Sequence, residues 1–355
     1  QGGQEDGSVK ETSRQERPPP VAGREPEPPQ GGEIRARWTW VEASVWTPRM
    51  LKALETGMGE GKWFRLIDKV WSEKNLQSAL EQVVYNGGSA GVDGRSVAAV
   101  RRQSEEEIAI LQRQLRAENY RPTPVKRVWI PKQGSPEKRP LGVPSVRDRI
   151  VQTALRNVIE PIFERDFAPQ SYGFRPKRGC KEALRRVEQL LKEDKVWVVD
   201  ADIKGYFDTI PHGPLMKRIG GKIADGRVLR LIEAYLKAGV LESVKSWRPT
   251  ERGTPQGAVI SPLLANIYLD PLDWEMARAG IEMVRYADDY VVLCHSREQA
   301  LQALEKIQEF ANANGLTLHP EKTQIVDASQ PGGFDFLGYH FERGMKWPRK
   351  KSMAK

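Results

Sequence analysis

Three aspartates carry the chemistry that this sequence offers most plainly. Asp288 and Asp289 stand side by side in "RYADDYVVL" between apolar residues, and Asp202 closes the apolar run of "VVDADIKGYFD". Strand alternation puts Asp200 and Asp202 on one face, with Asp202 nearer the strand end where a substrate can reach it. Carboxylates brought together repel unless they share a proton or bind a cation. Magnesium takes hard oxygen ligands, usually one or two carboxylates plus substrate phosphates. Two such ions about 3.5 to 4 Å apart clamp the attacking and leaving oxygens of an in-line phosphoryl displacement. The paired charge makes sense if the turn at 287–289 points a carboxylate back toward the end of the Asp202 strand. Taken alone, "ADD" is also what a solvated hairpin tip presents, because aspartate is a common turn residue.

The elements around these acids can be read from periodicity. "KVWVVDADI" (195–203) is a strand, "IEMVRYADDYVVLCHS" (281–296) a hairpin, and "REQALQALEKIQEFANANG" (297–315) a helix. "GTPQG" turns into a long apolar helix, "LTLHPEKTQIVDA" (316–328) is extended, and "FDFLGYHF" reads as a further hairpin. Upstream, Trp38, Trp40, Trp46, Trp63 and Trp71 fall at spacings that suit packed helices, where core packing outweighs base stacking as a role. A Gly-rich loop follows at 86–94, an amphipathic helix at 104–118, and a strand at 125–132. "VRDRIVQTALRNVIEPIFE" has a buried stripe of Ile150, Val151, Ala154, Leu155, Val158 and Ile159. Its polar side carries Arg147, Asp148 and Arg149. Further helix is expected at 181–192 and between 213 and 238. Helices alternating with hairpins, without a βαβ repeat, predict an α+β fold with helices on one face of an antiparallel sheet.

The 355 residues carry a formal net charge of +9, with 29% charged and 39% hydrophobic side chains. That composition suits a globular protein with a polyanionic partner, nucleic acid before membrane, although a basic balance also serves solubility alone. Residues 1–33 are rich in Pro, Gly and charge and are expected to form a disordered tail. Cys180 and Cys294 are too few and too far apart for a disulfide framework or a CxxC site, which favours a reducing, intracellular and cytoplasmic setting. His212, His295, His319 and His340 show no metal-ligand spacing. No apolar run reaches the ~20 residues of a membrane span. The chain starts with Gln, as a fragment would.

In order along the chain, "AGVDG", "IPK…KRPLGVPSVRDRIVQTAL", "SYGFRPKRGC", "DIKGYFD", "TPQGAVISPLLANIYL", "YADD", "LHPEKT" and "FLGYHF" resemble the blocks of a reverse transcriptase. The upstream blocks resemble more narrowly the group II intron-encoded enzymes and their bacterial relatives. The resemblance implies a right-hand polymerase fold with helical fingers at 34–190 and a palm at 191–347, the palm built on an antiparallel sheet with packed helices. Residues 348–355 would then be a basic C-terminal tail where a thumb begins.

By that resemblance Asp202, Asp288 and Asp289 form the acidic triad for two Mg2+ ions, with the Ile203 carbonyl assisting. Lys322 matches a general acid toward pyrophosphate. Lys132 and Arg139 match the fingers residues that grip the triphosphate. Phe207 falls where a bulky residue meets the sugar and favours dNTP over NTP, while Gln256 contacts the nascent pair and Gly257 lets backbone approach the substrate. Leu337, Gly338 and Tyr339 match the primer grip, Arg175 and Arg178 the template path, and the polar side of the Arg147 helix, with Asp148 and Arg149, would face nucleotide or template. The implied partners are an RNA template, including group II intron RNA, a DNA primer and dNTPs, with no membrane. A maturase role would belong to the full-length parent. Two other readings stay open: an RNA-binding splicing cofactor without polymerase activity, and a reverse transcriptase of a retron, diversity-generating, CRISPR-linked or phage-defence system.

Overall fold

The computed structural model describes residues 34–57, 59, 61–131, 138–243, 246–248 and 250–349. The expected tail at 1–33, residues 350–355 and Lys132 lie outside them. Six helices come first: α1 (Ile34–Arg37), α2 (Pro48–Thr56), α3 (Ile67–Val70), α4 (Glu73–Asn86), α5 (Val97–Arg102) and α6 (Ser104–Arg116). After the strands β1 (Val125–Pro131) and β2 (Lys138–Val143) comes α7 (Val146–Glu164), the post around which the helices pack. Its expected stripe is fully buried, against Leu76, Ala79 and Leu80 of α4 and Leu111 of α6. Trp38 and Trp46 are core residues, and the Trp46 indole donates to the Asn157 carbonyl at 2.9 Å.

The start of α7 departs from expectation. Asp148 is 1% exposed and accepts hydrogen bonds from Tyr120, Thr123 and Ser145. Arg147 pairs with Glu107 at 3.2 Å, and Arg149 donates to the carbonyls of Gly87 and Ser89. This polar side locks α7 to its neighbours. Alternation of polar and apolar residues reports a face, and a buried face can be polar when fixed donors and acceptors are matched on it.

The chain continues through α8 (Cys180–Lys192), β3 (Trp197–Asp202), α9 (Tyr206–Thr209), α10 (His212–Lys222), α11 (Gly226–Lys237), β4 (Val240–Ser243) and β5 (Ser246–Arg248). The further helix expected between 213 and 238 comes as α10 and α11, and Asp225 caps α11 by accepting from the backbone N–H groups of Arg227 and Val228. Strand β4 joins β1 in parallel, Val125 opposite Val240, giving a sheet of order β2-β1-β4-β5. These two short strands had no periodic signal, and they bring residues from beyond 191 into the sheet that holds the β1–β2 hairpin.

Next come α12 (Ser261–Arg278), β6 (Glu282–Tyr286), β7 (Asp289–Cys294), α13 (Arg297–Ala313), β8 (Gln324–Asp327), β9 (Phe334–Phe336), β10 (Tyr339–Glu342) and β11 (Met345–Pro348). The central sheet has order β6-β7-β3-β8 with every pair antiparallel. One face, through Val199, Ala201, Tyr290 and Val292, packs with α12 and α13. The other, through Val198, Val284, Val291 and Leu293, packs with α8 and with Phe334, Phe336 and Phe341 of the small β9–β10–β11 sheet. Both faces are covered, not one. The α+β class holds, and no described helix is long and apolar enough to cross a membrane.

Candidate active site

The register of the central sheet decides where the acids go. Strands β3 and β7 pair Asp202 with Asp289, and Asp200 with Val291. Since side chains alternate, Asp200, Asp202 and Asp289 share the face on which Val198 and Val291 pack. Asp288 is the last turn residue before β7. A depression of about 490 Å3 opens over them, lined also by Lys322, Gln324, Asp335 and the Phe336–Gly338 tip. The Lys322 ammonium stands 2.6 Å from Asp202. The backbone N–H of His319 donates to the Asp202 carbonyl at 2.7 Å, so "HPEKT" braces the end of β3. Ile203, just past that end, is buried and bridges to Leu318.

Electrostatics follows from this crowding. The protein packed around Asp289, and then the charges of Asp200, Asp288 and Asp202, push its carboxyl up to about 7, although it sits at the water-exposed mouth of the depression. A hydrogen bond from the Leu337 backbone opposes the push. Burial, and the charge of Asp202 with it, raises Asp288. Burial raises Asp200 as well, with Asp335 and Asp202 adding to it and a hydrogen bond from Gln324 opposing it. Among the described residues no three His, Cys, Asp or Glu side chains form a finished metal cage. The donor set nevertheless fits a hard cation, since every candidate atom is a carboxylate or carbonyl oxygen and such ions complete their shell with substrate phosphates.

Other expected residues gather nearby or stand apart. Leu337 and Gly338, both at positive φ (47° and 83°), form the two-residue tip between β9 and β10, and Tyr339 begins β10 half-buried. Phe207 lies on α9 only 9% exposed, edge-on to Tyr206, and its carbonyl accepts from the Thr254 N–H at 2.7 Å. That bond ties the segment after Asp202 to "TPQG". Gly257, at φ +100°, packs on β2 so closely that a Cβ would lie 2.7 Å from the Gly142 oxygen, and Gly142 donates to the Gln256 carbonyl at 2.6 Å. Arg139 is exposed on β2 opposite Ile130. Lys132 lies outside the described residues.

The template-path expectation needs correction at Arg175. Arg175 is 8% exposed, and its guanidinium grips Glu164 at 2.7 Å and donates to the carbonyls of Ala168 and Ser171. It therefore holds the 164–175 loop together. Arg178 donates to the Pro169 carbonyl at 2.6 Å and lies over the Tyr172 ring.

The block order, the antiparallel sheet and the meeting of Asp202 with the 288/289 pair point one way. The description "Reverse transcriptase (RNA-dependent DNA polymerase)" matches residues 130–341. The chain belongs to this family. Within it the chain is of the group II intron type, being 41% identical over 224 residues to group II intron-encoded protein LtrA of Lactococcus lactis subsp. cremoris. That match covers 62% of this chain and 37% of the relative, so the chain spans little more than a third of LtrA. It is 34% identical over 293 residues to Protein YkfC of Escherichia coli (strain K12), covering 71% of this chain and 76% of that one. Among solved structures it is similar to a partial Cas6-RT-Cas1--Cas2 complex, with a TM-score of 0.43, 23% identity, and coverage of 70% of this chain and 42% of that chain. Reverse transcriptases generally use divalent metal ions, in keeping with the donor set described above.

Sequence reading passed over Arg285, which sits at the root of the 287–288 turn and donates to the Ala287 carbonyl at 2.7 Å. The signal was present in "EMVRY": alternation puts Arg285 on the inward face with Met283, where an apolar residue is expected.

Proposed function

We propose that this chain extends the 3′-hydroxyl of a DNA primer with dNTPs on an RNA template, as a group II intron-like RNA-directed DNA polymerase, with a maturase role in a longer parent. The observation that carries the reading is the Asp202–Asp289 register with Asp288 alongside and Lys322 against Asp202. Asp202, Asp288 and Asp289, with the Ile203 carbonyl, are the groups that would hold two Mg2+, which when bound supply charge neutralisation and a more acidic primer hydroxyl.

The remaining work falls to side chains of the chain itself. Lys322 holds a proton where pyrophosphate leaves. Phe207, 9% exposed, excludes a 2′-hydroxyl by volume. Arg139, with Lys132, grips the triphosphate as a planar fork and a point charge. Gln256 and Gly257 bear on the nascent pair, the Leu337–Tyr339 tip supports the primer end beside Asp289, and Arg178 borders the template. Residues 34–190 serve as fingers and 191–347 as palm, with β4 and β5 returning to the fingers sheet. The net charge of +9 favours backbone contacts, hence strong salt dependence. These partners imply an intracellular, cytoplasmic setting.

The test is primer extension on oligo(rA) annealed to oligo(dT), with dTTP and Mg2+. Incorporation is expected from the wild-type chain and not from Asp288→Asn, which should still bind the annealed template. A folded wild-type chain that binds but incorporates nothing, or an Asp288→Asn chain of equal activity, would overturn the reading.

A further inference from the structure

A fully buried arginine three residues before a catalytic pair calls for a physical account. Arg285 is 0% exposed, and its inward place on β6 would be filled at lower cost by an apolar side chain, since a desolvated ion pair adds little stability over a hydrophobic one of similar volume. Its guanidinium nevertheless donates four hydrogen bonds. Nε and Nη2 grip Asp273 of α12 at 2.8 and 2.5 Å, while Nη1 donates to Asn266 Oδ1 at 2.9 Å and to the Ala287 carbonyl at 2.7 Å.

Ala287 is the residue at φ +62° that reverses the chain just before Asp288, a conformation an alanine adopts only under constraint. The constraint comes from two sides. Arg285 holds the Ala287 carbonyl. Gly173 lies against the Ala287 nitrogen so tightly that a Cβ there would come within 2.2 Å, and the Gly173 carbonyl is held by Asn266 Nδ2 at 2.8 Å. Asn266 thus serves both contacts. Together with Asp270, which accepts from the Ala168 N–H at 3.0 Å, and Asp273, it forms a polar stripe at helical spacing on an otherwise apolar α12.

We infer that Arg285, with Asp273 and Asn266, is a positioning unit that sets the height and aim of the Asp288–Asp289 carboxylates from α12, and that its charge is kept for this and not for folding. The inference rests on the polymerase reading given above.

Two variants test it by primer extension and thermal denaturation. Arg285→Lys keeps charge but loses the fork. It should lower kcat for dTTP incorporation roughly 10- to 100-fold, the scale of a small misplacement of reacting groups. It should also raise the Mg2+ concentration for half-maximal rate with KM for dTTP little moved, the loss of kcat per folded molecule exceeding any fall in melting temperature from the buried acceptors left unpaired. The apolar pair Arg285→Met with Asp273→Leu should fold at least as stably as the wild-type chain, yet lose kcat equally. A structural role alone would tie activity to stability. The inference is overturned if either variant, folded, keeps wild-type kcat, or if the loss follows only the folded fraction. Absence of incorporation by the wild-type chain would instead defeat the polymerase reading itself, before any variant is made.

Discussion

Asp148 at the start of α7 and Asp289 at the start of β7 are both carboxylates close to a helix or strand end, yet they are surrounded differently. Asp148 receives donors from Tyr120, Thr123 and Ser145, so its lone pairs are spent inside the protein. Asp289 has one backbone donor from Leu337, and its other neighbours are Asp200, Asp202 and Asp288. A carboxylate saturated by fixed donors is a fastener. One left among other carboxylates stores repulsion that an incoming cation relieves, and its acceptor capacity is free for a ligand. Residue type does not separate the two cases; the identity of the neighbours does.

Paired substitutions break or sharpen that contrast. The largest effect is expected from Asp288→Asn, a loss of incorporation on the order of 10³-fold, as when one element of a preorganised charge-stabilising site is removed. Its urea midpoint should stay at or above the wild-type value, because a raised carboxyl has been neutralised. Asp148→Ala should do the reverse. Leaving buried donors without an acceptor costs about 3 kcal/mol of stability in urea denaturation, while the rate per folded molecule stays near wild type. A stable Asp148→Ala chain with lost activity would erase the distinction.

Lys322→Ala comes next, with a fall in kcat of about 100-fold if it supplies a proton. Little stability should be lost, since its pair with Asp202 is solvent-accessible. The smallest effect concerns pH. Asp289 titrates at about 7 in the fold against an ordinary 3.8, so between those values the folded chain binds more protons than the unfolded one. Stability without metal should therefore fall as pH rises through that window. Asp289→Asn should flatten the slope of urea midpoint against pH, and an unchanged slope would show that Asp289 is not the group responsible.

Much of the site was legible because its signals are local. Asp288 and Asp289 adjoin each other, Asp202 ends an apolar strand, and Leu337–Gly338 sits between two strands that alternate cleanly. The strands β4 and β5 were not legible, being four and three residues long, β4 held by pairing with β1 and β5 by pairing with β4. Arg175 was misread because a basic residue in a loop looks exposed until Glu164 and two carbonyls close around it.

The sequence by itself determined the α+β class, the order of the family's blocks and which acids could serve a metal, since these depend on residue type and short-range periodicity. Only the tertiary structure decided that Asp202 lies opposite Asp289, that Asp148 is locked inside, and that Arg285 reaches Asp273 and Asn266 on α12. Those facts rest on register and packing between segments far apart in the chain. Hydrogen-bond partners and local dielectric, which turn a carboxylate into a fastener or a ligand, exist only once those segments have met.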